Sequence, residues 1–167
     1  SISDTFNFNN TDRNPTIGNY THTFTTQPFN GYVSNFRILN GTGLYTSNFT
    51  PPTKPLTAVT NTVLLTCQGN TITDASSSAH TITVNGDAAA NLGFPASAFE
   101  FDGTDDYVQL SASSDLNFGT GNFTIEGWFN KGATTANQAL LCSNKYYIFG
   151  NNGNWILRIS SATQIAF

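Results

Sequence analysis

Apolar residues in this sequence come in short runs that alternate with polar ones, and Gly, Asn or Pro interrupts them roughly every ten residues. Helical periodicity is nearly absent, so the chain reads as all-β. In Phe123-Thr124-Ile125-Glu126-Gly127-Trp128-Phe129, the residues Phe123, Ile125 and Phe129 share one face while Thr124, Glu126 and Trp128 share the other, as in a half-buried strand. Residues 32–38 repeat the pattern, with Tyr32, Phe36 and Ile38 together and Arg37 directed away. Further strands are expected at 63–67, 81–84, 98–101, 107–110 and 155–159. Gly150-Asn151-Asn152-Gly153-Asn154 should turn a hairpin between 146–149 and 155–159, because Asn and Gly accept the positive φ of a tight turn. A second turn falls at 102–106. The one helix-like stretch runs from about Ala136 to Leu141, and Gln138-Ala139-Leu140-Leu141-Cys142 reads as plausibly as a strand.

Only 10% of the 167 residues are charged, against roughly 25% in ordinary soluble domains, while aromatic residues reach 13%. The aromatic side chains supply ample area to bury, which argues against disorder. Six Lys and Arg against ten Asp and Glu give a net charge of −4. A chain without a basic stripe cannot neutralise a phosphate backbone, which excludes nucleic acid as a partner, and an electrostatic membrane anchor fails for the same reason. No apolar run approaches the roughly 20 residues of a membrane span, and no secretory signal opens the sequence, so no membrane insertion is expected. The missing initiator Met and Met-free composition suggest a processed product or a piece of something longer.

Thr50-Pro51-Pro52-Thr53-Lys54-Pro55-Leu56 marks the best boundary, since three prolines in five residues remove backbone donors and favour an extended connector. On its C-terminal side, Phe101-Asp102-Gly103-Thr104-Asp105-Asp106-Tyr107-Val108, followed by residues 115–129, resembles the opening half of laminin-G-like jelly-roll domains of the concanavalin A-like superfamily. On its N-terminal side, Asn14-Pro15-Thr16-Ile17-Gly18-Asn19, Phe29-Asn30-Gly31-Tyr32 and Tyr45-Thr46-Ser47-Asn48-Phe49-Thr50-Pro51-Pro52 are similar to the closing strands of such a domain. The resemblance implies an antiparallel jelly-roll β-sandwich in inverted order: residues 1–58 as the end of one unit, and residues 59–167 as the beginning of the next. Tandem units of this Thr/Asn-rich style resemble structural and tail-fibre proteins of marine bacteriophages, and secondarily bacterial surface adhesins. Half a jelly roll leaves strand edges and an apolar face uncovered. A longer chain could cover them, residues 1–58 could pair back onto 60–167, or a neighbouring copy could donate strands; the first and third are expected here.

For catalysis, sandwich glycosidases need two carboxylates facing one cleft. The only glutamates are Glu100 and Glu126, on different strands, and no nucleophile motif accompanies His22 or His80, so no enzyme is expected. Asp102, Asp105 and Asp106 crowd one turn and offer hard oxygens suited to calcium, or else cap backbone amides around Gly103. Tyr107, Trp128, Tyr147 and Trp155 are candidate platforms for stacking sugars, unless they pack between the sheets. Cys67 and Cys142 are expected as buried free thiols.

Together these features point to a non-enzymatic adhesion module on a phage particle or cell surface, as tail fibre or surface decoration. Its partners would be adjacent domains or neighbouring copies of the same protein and host glycans, with many weak contacts made useful by multivalency. The rivals are a purely structural filament or coat block, and a carbohydrate-binding module attached to a glycoside hydrolase.

Overall fold

The structure, a computed structural model, describes residues 14–20, 27–91, 97–132, 137–143, 155–160 and 164–166. Its strands are β1 (Thr16–Ile17), β2 (Asn30–Asn40), β3 (Thr62–Thr66), β4 (Ile82–Asn85), β5 (Ala89–Asn91), β6 (Ala98–Asp102), β7 (Tyr107–Leu110), β8 (Phe123–Lys131), β9 (Gln138–Cys142), β10 (Ile156–Ser160) and β11 (Gln164–Ala166). One 3-10 turn, Ser114–Leu116, is capped by the Ser113 hydroxyl. Every ladder among them is antiparallel. One sheet runs β11-β10-β9-β1-β7-β4; the other runs β3-β2-β6-β5, with β8 on the far side of β2. Gln138–Cys142 is thus a strand, the extended reading of that segment. The expected hairpin at 150–154 lies outside the described residues.

The two sheets close on one apolar core. Phe29, Phe99 and Phe101 are fully buried, with Ile17, Val33, Ile38, Leu64 and Val108 around them. Burial of each such side chain contributes about 1.5–3 kcal/mol, which is what holds two sheets of mostly uncharged strands together. Cys67 and Cys142 are both buried thiols, and neither is in a disulfide.

Strands from both sides of the proline segment share both sheets. From the N-terminal side, β1 lies between β7 and β9, and β2 pairs with β3, β6 and β8. The two halves therefore pair with each other within the chain, the pairing-back that the sequence alone did not favour. The physical reason is that β2, eleven residues long, presents one edge to β6 and then β3 and its whole other edge to β8, so a single donated strand completes the sheet.

A second correction concerns side-chain direction on β2. The register of β2 and β8 shifts between Ser34 and Arg37, where Asn35 takes φ +51. Such a bulge inverts the alternation. Val33, Phe36 and Ile38 point into the core, while Tyr32 reaches Glu100 on the solvent side instead of joining Phe36 and Ile38.

The proline segment is a strap across the outer face of this sheet. Leu56 is buried there; its amide donates to Asn35 Oδ1 at 2.9 Å, and its carbonyl accepts from Gln68 Nε2. Earlier in the strap, the Leu44 amide donates to Thr124 Oγ1 at 2.9 Å, and that hydroxyl donates to the Thr42 carbonyl at 2.9 Å.

Candidate functional site

Antiparallel register defines what the outer face of the β5-β6-β2-β8 sheet presents. Tyr32 lies opposite Asn130 on β8 and opposite Glu100 on β6; one pleat away, Ser34 lies opposite Trp128, and Ala98 opposite Asn91. Residues two apart on a strand share a face, so Trp128 and Asn130, and likewise Glu100 and Asp102, point the same way. Glu100, Asp102, Trp128 and Asn130 are exposed, and the Trp128 indole keeps 45% of its surface in water.

The polar groups on this face are tied together. Tyr32 Oη donates to Glu100 Oε1 at 3.0 Å, and Asn91 Nδ2 donates to Glu100 Oε2 at 2.8 Å. Glu100 in turn raises the Tyr32 phenol above its usual pKa, first through that hydrogen bond and then through its charge. A carboxylate offers about four lone-pair sites, so two donors leave Glu100 able to accept more.

Beside this face, an apolar groove of about 350 Å³ opens between the strap and β8. Tyr45 and Phe49 stack along it, with ring centroids 3.8 Å apart. Phe49, Trp128 and Phe129 stand exposed at its margin, and Pro51 and Pro52 wall it. Trp128 belongs to both the groove and the polar face. At the groove floor Glu126 is committed: its Oε1 accepts from Arg37 Nε at 2.8 Å and Nη2 at 2.5 Å, and its Oε2 accepts from Tyr45 Oη at 2.6 Å.

Of the aromatic residues singled out in the sequence that are described, Trp128 is the one on this surface. Tyr107 lies on β7, in the other sheet, and Tyr147 lies outside the described residues. Trp155 is 6% exposed and packs on Phe118 at 5.4 Å in the core, so it is no platform. Tyr32, Asn91 and Asn130 were missed. Alternation placed Tyr32 on the buried face, and only the bulge at Asn35 moves it out.

The aspartates gather differently from the expectation. Asp87, Asp102 and Asp106 bring carboxylate oxygens within 4.8 Å of one another; Asp105 is exposed and is not part of the group. Asp87 was not singled out; the sequence signal that could have found it is the turn-forming Asn85-Gly86-Asp87. Asp106 is buried, and its two oxygens accept the Asp87 amide at 2.7 Å and the Asp102 amide at 2.9 Å. Gly86, at φ +74, is required because a Cβ there would lie 2.3 Å from Asp106 Oδ1. Asp102 Oδ1 accepts the Thr104 amide at 2.7 Å. Calcium takes about six to eight oxygens. In this turn Asp106 and Asp102 already accept backbone amides, so the cluster also does the work of a turn.

Residues 69–166, well over half of the chain, match the family described as Clostridium neurotoxin, N-terminal receptor binding. The chain belongs to that family. No curated protein and no solved structure matches it. For this member of the neurotoxin receptor-binding family, the matched span carries Asn91, Glu100, Trp128 and Asn130, while Tyr32 and the strap precede it. The family is described by receptor binding rather than by a reaction, in keeping with a binding module. No helix among the described residues is long and apolar enough to cross a membrane.

Proposed function

We propose that this chain is a non-enzymatic adhesion module that contacts cell-surface glycans through the outer face of the β5-β6-β2-β8 sheet. The observation that carries this reading is the register that puts an exposed indole, Trp128, on one open face with Tyr32, Asn130 and the Glu100–Asn91 pair. An aromatic face stacks on the apolar side of a sugar ring, and amides and carboxylates hydrogen-bond its hydroxyls. Membership of a receptor-binding family supports the same reading.

The resemblance of residues 101–129 and 14–52 to laminin-G-like repeats extends the proposal to the particle: a tail fibre or surface decoration of a phage, exposed outside the cell. In this reading residues 1–58 and 59–167 derive from consecutive jelly-roll repeats, and the pairing of β2 with β3, β6 and β8 is the closing half of one completing the opening half of the next. Weak single contacts then gain strength from many copies.

The test is a multimeric form of the chain applied to a glycan array, with Trp128→Ala alongside. Sugar-dependent retention that falls at least tenfold in the variant, with an unchanged melting temperature, supports the proposal. Retention without sugar dependence favours a structural coat block and sinks it.

A further inference from the structure

The charges around Trp128 allow the glycan class to be narrowed, on the reading just proposed. Among the described strand residues, the charged side chains at exposed positions of the outer face are acidic. Glu100 and Asp102 sit two residues apart on β6 and project the same way. The basic residues of this sheet are accounted for elsewhere: Arg37 is buried against Glu126, and Lys131 alternates to the side opposite Asn130. Lys54 stands exposed on the strap that crosses this face at Asn35 and Arg37.

We infer that the face selects neutral, hydroxyl-rich sugars and rejects glycans capped by sialic acid or sulfate, with Glu100 as the residue that determines this. Glu100 is pre-positioned for that role. Tyr32 Oη and Asn91 Nδ2 hold one carboxylate oxygen each, which fixes the group in place without exhausting its acceptors. A vicinal diol can donate one hydroxyl to each oxygen, forming the charge-assisted bonds that are the stronger kind. An anionic sugar would instead bring a second negative charge against Glu100 and Asp102, with no cation among the described strand residues of that exposed face to offset it.

The spacing suits an oligosaccharide. Trp128 and Glu100 are separated by two strand spacings and one pleat repeat, about 12 Å between backbones at ~4.8 Å per strand and ~3.4 Å per residue. That is room for one ring stacked on Trp128 and another hydrogen-bonded at Glu100.

The experiment uses an array printed with neutral hexose oligosaccharides and with the same oligosaccharides capped by sialic acid or by sulfate, probed with the multimeric chain and with Glu100→Gln. The expected result is at least tenfold stronger retention on the neutral members. Glu100→Gln should lower neutral retention about tenfold and narrow the gap to the capped members. Raising salt on the wild-type chain should also narrow that gap, since the repulsion is between exposed charges. This second measurement does not depend on the variant folding. Equal or stronger retention of capped glycans by the wild-type chain overturns the inference while leaving the glycan reading intact. No sugar-dependent retention on any member overturns both.

Discussion

Arg37 and Glu126 face each other across β2 and β8 and form an ion pair beneath the strap, Nε and Nη2 both donating to Oε1, with side chains 6% and 13% exposed. Arg37 Nη1 also donates to the Thr57 carbonyl at 2.6 Å, and Tyr45 Oη donates to Glu126 from above, so one ion pair anchors both ends of the strap. Removing one partner of such a pair strands the other charge. Glu126→Gln should therefore destabilise the fold by about 3 kcal/mol, whereas replacing both partners with apolar residues should cost less than the two single changes summed. Urea unfolding of the three variants checks this; additive losses would show that the pair is not coupled.

The same pair shows how far the sequence could be read. Alternation sent Arg37 and Glu126 to the side away from the core, and short apolar runs marked β3, β4, β6, β7 and β10, while β9 stayed open between strand and helix and β5 went unread. What alternation could not supply is what covers that side. The proline segment reads as a tether between units because proline lacks a donor, but side-chain and carbonyl groups do the anchoring here: Asn35, Arg37 and Gln68 bond the strap at Leu56 and Thr57. The reversal at Asn35 was equally hidden, since nothing in Ser34-Asn35-Phe36 marks a bulge until β8 is placed beside it. Of the candidate site, Trp128 was legible from the pattern, whereas Glu100 was weighed only against a catalytic pair and its partners not at all.

Asp87 provides a pH-dependent test of the carboxylate turn. Its carboxyl is raised above the ordinary 3.8, chiefly by the charge of Asp106, then by a hydrogen bond with it and by the charge of Asp102. A raised acid binds its proton more tightly in the folded chain than in the unfolded one. Its contribution to stability is full below the unfolded pKa and is lost as pH rises through the folded value. At pH 7 the ionised group is therefore a small liability, and Asp87→Asn should raise the melting temperature. The gain should shrink near pH 4 and in high salt. A variant that melts no higher than wild type at pH 7 and low salt would rule out the repulsion.

Cys67 and Cys142 should be silent to thiol reagents in the folded state. Burial pushes the Cys67 thiol far above its usual range, and the thiolate is the reactive form. The two lie in different sheets: Cys142 ends β9, and Cys67 follows β3. A thiol-reactive dye should label neither residue in buffer and both in guanidinium. Rapid native labelling, or no labelling after denaturation without reductant, contradicts two buried free thiols.

The two tryptophans report on opposite environments, which makes the placement of the site residue testable by fluorescence. Trp128 is 45% exposed at the margin of the groove, and Trp155 is 6% exposed against Phe118. Trp128→Phe leaves the buried indole, so emission should move to shorter wavelength and acrylamide quenching should fall several-fold. Trp128 lies on the solvent side of β8, so stability should change by less than about 0.5 kcal/mol. Trp155→Phe should do the reverse: red-shifted, readily quenched emission, with a loss of about 1–3 kcal/mol from the space left in the core. If removing Trp128 leaves a red, quenchable spectrum, Trp155 is the solvent-facing indole, and the glycan face must be sought on the sheet that carries β9 and β10.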